Sequence, residues 1–252
     1  MIPLKDDTPR FSTPYVTYFL LGFNILIFLL QKWVESTQGP AASDQLTMVF
    51  GLVPVKIPIA LAGGQVPYRL VDFFATRYIT PMAAFLPILT SMFLHGGWWH
   101  IISNMWVLWI FGDNVEDYLG HFVYLLFYVG AGIAGAVLHV MFNWASPIPT
   151  VGASGAIAGV MGAYFVLYPK ARVLTLVPFF FVFFVWLPAW IVLGYWFLAQ
   201  FLGGAATAIQ THGAAAKGGV AFWAHVGGFI TGLVMIKLLP QRPRLYRYSG
   251  WN

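Results

Sequence analysis

Residues 152–168 read GASGAIAGVMGAYFVLY. No charge interrupts the stretch, and Gly152, Gly155, Gly159 and Gly162 recur along it three and four residues apart. Residues so spaced lie on one face of a helix. An apolar helix with such a stripe packs closely against a neighbouring helix inside a membrane, because small side chains let two backbones approach. The rest of the chain agrees. Of its 252 residues, 60% are hydrophobic and 8% charged, whereas a soluble domain carries about 25% charged residues. No water-facing surface can be covered from that composition. The apolar residues fall in blocks of the length a bilayer requires, roughly 20 residues each. The expectation is an all-α membrane protein, a bundle of six transmembrane helices at about 15–33, 97–112, 121–142, 152–168, 180–202 and 219–239.

Turn and charge signals separate these blocks. They are Gly112-Asp113-Asn114 and Asp117 to Gly120, then Asn143 to Pro149, then Tyr168-Pro169-Lys170. The stretch from Glu35 to about Phe93 is apolar but broken by Gly, Pro and the charges Lys56, Arg69, Asp72 and Arg77. It reads as a long interfacial first loop with short amphipathic helices. Three regions result: an N-terminal tail at 1–14, the helical domain at 15–240 and a basic C-terminal tail at 241–252.

Of the 13 Lys and Arg, eight lie at the two ends and in one short loop: Lys5, Arg10, Lys170, Arg172, Lys237, Arg242, Arg244 and Arg247. With an even number of spans, both termini are on the side these residues mark, and the positive-inside rule makes that side cytoplasmic. The expected location is a prokaryotic cell (inner) membrane, crossed several times. The net charge of +5 is a topology signal and gives no case for nucleic acid. The chain has no cysteine, which excludes disulfides, thiolate metal sites and a cysteine nucleophile. No residue set suggests a metal or an organic cofactor.

Ionisable side chains within membrane spans are costly and mark function. Ser154 falls in the first turn of its helix, where free backbone N–H groups and the positive dipole end favour an oxyanion. His225 lies in residues 224–228 (AHVGG), three residues before Gly228, and Gly228 and Gly232 are four apart. These glycines admit a close neighbour, so an imidazole on one helix can meet a hydroxyl on another. His100 and Asn104 share a helix face, and with the Ser154 N–H they could donate to one oxyanion. Each feature has a structural alternative: close helix packing for the glycines and Ser154, interhelical hydrogen bonding for His225, His100 and Asn104. His95, within His95-Gly96-Gly97, reads as a structural partner in its loop. His121, His139 and His212 read as structural or solvated.

Together these pieces resemble the rhomboid family of intramembrane serine proteases. The resemblance rests on residues 91–104 (SMFLHGGWWHIISN), on Gly152-Ala153-Ser154-Gly155, and on Ala224 to Gly228 with Gly232. It covers about residues 15–240, and the order of the motifs is more specific than any one of them. It implies a Ser–His dyad with no acidic third member: Ser154 as nucleophile, His225 as base, and His100 and Asn104 as oxyanion residues. Gly152, Gly155, Gly228 and His95 would be supporting residues. It also implies that Val185 to Gly203 is the helix bordering substrate access and that Glu116 is a structural acid. Its partners would be the lipid bilayer and membrane-protein substrates with helix-destabilising transmembrane segments.

Two departures stand out. The Trp-Arg pair that some members carry in the first loop is missing, and Arg77-Tyr78 does not replace it. The aromatic that some members place four residues after the serine is Ala158. Two other classes compete. One is a non-catalytic rhomboid-like binder of membrane-protein clients, against which the pairing of Ser154 with His225 argues. The other is a transporter, for which repeats and further buried carboxylates would be expected. A soluble hydrolase elbow needs glycine two residues after the serine, where Ala156 stands.

Overall fold

The structure is a computed structural model and describes residues 1–179, 181–211 and 220–241. Strand β1 (Ile2–Asp6) comes first, so part of the expected 1–14 tail is built into the fold. Helix α1 (Tyr15–Gln38) follows. The expected interfacial loop then holds five short helices: α2 (Pro40–Phe50), α3 (Lys56–Leu61), α4 (Tyr68–Phe74), α5 (Pro81–Phe85) and α6 (Pro87–Thr90). Next are α7 (Trp98–Leu119), α8 (His121–Asn143) and α9 (Ser154–Leu167). Strands β2 (Arg172–Phe179) and β3 (Phe181–Pro188) lead into α10 (Ala189–Thr211), and α11 (Phe222–Leu238) ends the domain. Helices α1, α8 and the Ala189–Ala208 part of α10 are long and apolar enough to cross a membrane. Helices α9 and α11 are apolar but shorter.

The all-α expectation is corrected by an antiparallel sheet of order β1-β2-β3. Ile2 pairs with Leu176 and Asp6 with Val173, while Arg172 pairs with Pro188. The described part of the expected span at 180–202 therefore begins as a strand at Phe181, and only from Ala189 is it helical. The same holds for the 185–203 helix implied by resemblance. Residues 172–188 are dense in Val and aromatics, which favour a pleated surface. A short apolar run does not distinguish strand from helix by hydropathy.

The second correction concerns α7, expected to stop at 112. It continues through Asp113, Glu116 and Asp117 and ends at Gly120, whose φ of +77° suits glycine. Glu116 explains this. It is fully buried and accepts the N–H groups of Val16 (2.9 Å) and Thr17 (2.7 Å) and the Thr17 hydroxyl. Pro14 at the N-cap of α1 offers no side-chain cap. A carboxylate from another helix takes that role, at the positive end of the α1 dipole.

The two ends of the bundle differ. One end collects the sheet, the Glu116 cap and a chain in which Thr8 meets the Tyr164 hydroxyl, which donates to Asp6. The opposite end collects the short helices, where Leu52 pairs with Thr150. There Gln31 clamps the backbone of His95, accepting its N–H at 3.0 Å and donating to its carbonyl at 3.3 Å. The main core lies between α1, α7, α8, α9 and α11, around Phe28, Phe111, Tyr124, Tyr128 and Tyr164.

Candidate active site

Ser154 is the first residue of α9. The turn before it is set by Gly152, whose φ of +132° strains any side chain. A Cβ at Gly152 would also lie 2.8 Å from His100 Nε2 and 3.5 Å from Ser154 Oγ. The Gly152 N–H donates to the Ser91 carbonyl at 2.9 Å and ties this turn to the segment before α7. Small residues then bring α9 against α11. A Cβ at Gly228 would strike the Gly155 carbonyl oxygen, one at Gly232 the Gly159 carbonyl, and one at Gly162 the Phe229 carbonyl.

That approach puts His225 Nε2 2.7 Å from Ser154 Oγ. His225 is buried. Its other ring nitrogen, Nδ1, is 2.8 Å from Oε1 of Gln200 on α10. An amide oxygen only accepts, so Nδ1 carries the proton. Nε2 is then left as an acceptor for the serine hydroxyl. Trp196, one turn earlier on α10, lies against the imidazole at a centroid separation of 5.5 Å. Ala158 lies under α11 with only a methyl group, so the ring's aromatic neighbour comes from α10.

His100 faces the same point from α7. Its Nδ1 accepts the Gly96 N–H at 3.3 Å, which leaves Nε2 as the N–H of the neutral ring, beside Gly152 and Ser154. Asn104 is buried one turn on, and its amide donates to the His100 carbonyl at 2.8 Å. An amide nitrogen has two hydrogens, so one remains for a ligand. His100, Asn104, Ser154, Trp196 and His225 all line one cavity of about 660 Å³.

The remaining histidines divide. His95 is buried against His100, with ring centroids 5.2 Å apart, and is held through its backbone by Gln31. His139 lines the cavity and meets the Thr150 hydroxyl at 3.0 Å. His121 pairs with Glu116 at the opposite end, at 2.6 Å. His212 lies outside the described residues, as do Lys217, Arg242, Arg244 and Arg247. Gln200, Trp196 and Gln31 were not singled out from sequence. For the two glutamines the available signal was the one that marked Asn104, an amide inside an apolar helix.

The site can be compared with known proteins. The Rhomboid domain model matches residues 83–242, more than half of the chain. Rhomboid protein 1, mitochondrial, of Saccharomyces cerevisiae is 32% identical over 59% of this chain and 40% of its own length. Rhomboid protease GluP of Bacillus subtilis is 43% identical over 60% of this chain and 24% of its own length. Presenilin-associated rhomboid-like protein A, mitochondrial, of Danio rerio is 29% identical over 61% and 40% respectively. The chain thus spans less than half the length of these relatives. The match takes in α7 to α11, and with them every side chain around the Ser154–His225 contact: the chain is a membrane protein of the rhomboid family.

Proposed function

We propose that this protein is an intramembrane serine endopeptidase that cleaves peptide bonds in or near transmembrane helices of other membrane proteins. The observation that carries this reading is the 2.7 Å contact between Ser154 Oγ and His225 Nε2 at the wall of the cavity. Ser154 attacks the scissile carbonyl while His225 Nε2 takes its proton. The new oxyanion is received by the Ser154 backbone N–H, the His100 Nε2–H and the Asn104 amide. Collapse breaks the C–N bond, and His225 returns the proton to the leaving amine. A water then gives its proton to His225, hydrolyses the acyl-serine ester and restores the free hydroxyl.

A helix in lipid hides its carbonyls in its own hydrogen bonds. Preferred substrates therefore carry Gly, Pro or polar residues near the cut, where unwinding costs less. We read α1, α7, α8, α9, α10 and α11 as six spans of one domain covering about 15–240. The N-terminus and the end of α11 then lie at the sheet end, which we read as cytoplasmic by its Lys5, Arg10, Lys170 and Arg172. A prokaryotic cell membrane is the location we propose; the relatives named above are one bacterial and two mitochondrial proteins.

The test uses the full chain in lipid bilayers, a single-span substrate with a Gly-Pro break, and a fluorophosphonate probe. Wild type is expected to cleave the substrate and to be labelled. Ser154→Ala and His225→Ala, folded by thermal melting, are expected to do neither. Undiminished cleavage by either variant sinks the reading.

A further inference from the structure

We propose that Gln200 is a positioning residue that holds His225 in its reactive tautomer, so that α10 supplies a neutral third member to the Ser–His pair. The inference rests on the hydrolase reading above and deepens it.

A neutral imidazole has one N–H. Only the form protonated at Nδ1 presents a lone pair at Nε2 to take the serine proton. The opposite form would point an N–H at Ser154 Oγ and block the attack. Gln200 Oε1, 2.8 Å from Nδ1, stabilises the reactive form, because an oxygen acceptor is satisfied only by a protonated Nδ1. In soluble triads a carboxylate fills this position, and an amide there that turns its N–H to the ring leaves the imidazole in the wrong tautomer at a cost of about 10⁴-fold; Gln200 turns its oxygen to Nδ1 instead. Here the histidine is buried in a membrane helix bundle. A charge there is expensive to hold. An amide gives the acceptor without that penalty.

Gln200 does not act alone. Trp196 lies four residues before it, hence on the same face of α10, and packs against the imidazole. The two side chains fix the ring by its edge and its face. On α9 the residue one turn after Ser154 is Ala158, too small for either role. The support for His225 has thus passed to α10.

The experiment compares wild type, Gln200→Met and Gln200→Glu as full chains in bilayers. Methionine keeps the length and loses the acceptor, whereas glutamate keeps an oxygen acceptor. Gln200→Met is expected to lower kcat and the rate of fluorophosphonate labelling by about 10–100-fold, with KM unchanged, the pattern of a group that acts in the transition state. Gln200→Glu is expected to recover most of both. Wild-type kcat in a folded Gln200→Met protein overturns the proposal. So does equal impairment of both variants, which would make Gln200 a packing residue. Should Gln200→Met not fold, nitrogen NMR of histidine-labelled wild type reads the tautomer directly. A proton on Nδ1 supports the proposal and a proton on Nε2 overturns it, whether or not the protein is active. Absence of wild-type cleavage, or equal labelling of Ser154→Ala, sinks the hydrolase reading instead.

Discussion

The Cα of Gly228 on α11 rests against the carbonyl oxygen of Gly155 on α9, with no room for a Cβ between them. This contact sets the separation of the two helices one turn from the Ser154–His225 pair. An alanine at Gly228 has to push α11 away. Overpacking of this kind costs about 1–3 kcal/mol, and a displacement of about 1 Å at reacting groups costs about 100-fold in rate. Gly228→Ala is therefore expected to lower the melting temperature and to reduce kcat by about two orders of magnitude. Gly22→Ala in α1, where a Cβ meets nothing within 4 Å, is the control and is expected to keep full activity. Equal behaviour of the two variants would contradict the packing argument.

His100 and Asn104 differ in readiness. The His100 N–H already points at the Ser154 turn, whereas the Asn104 amide spends one hydrogen on its own helix. Loss of one oxyanion donor costs about 100–1,000-fold in kcat. Both His100→Ala and Asn104→Ala are expected in that range, with KM little changed. Steady-state kinetics on the single-span substrate measure it, and an unchanged kcat removes the residue from the oxyanion hole.

Asp6 makes stability depend on pH. Burial raises its carboxyl above the ordinary 3.8, and hydrogen bonds from Tyr164 and Thr8 oppose the shift in part. Between the unfolded and the raised folded value, the native state holds more protons than the unfolded chain. Stability contributed here is present at low pH and is lost as pH rises through that interval. Asp6→Asn removes the titration. The melting temperature of wild type relative to Asp6→Asn is expected to fall from pH 4 towards neutrality. A constant difference would show that Asp6 does not couple β1 to the proton concentration.

The candidate site was legible in sequence because its polar residue types are rare in a membrane. A serine at the start of a small-residue helix and a histidine beside Gly228 narrow the choices, and Ser154 and His225 do meet. Helices α1 and α8 were legible for a related reason: apolar runs of about 20 residues have few other uses. The run at 181–188 was not, because strand and helix bury the same residues and only pairing with Arg172–Phe179 decides between them. Acidic residues at 113–117 looked like a helix end until Glu116 found the α1 N-terminus.

Sequence alone determined that the chain is an apolar helical bundle and which side chains can do chemistry, since composition, periodicity and rare polar residues are local properties. Only the tertiary structure decided what stands beside them. Gln200 and Trp196 reach His225 from another helix, and Glu116 caps a helix about one hundred residues away in sequence. Such partnerships depend on crossing distance and helix rotation, which side-chain packing sets across the whole bundle.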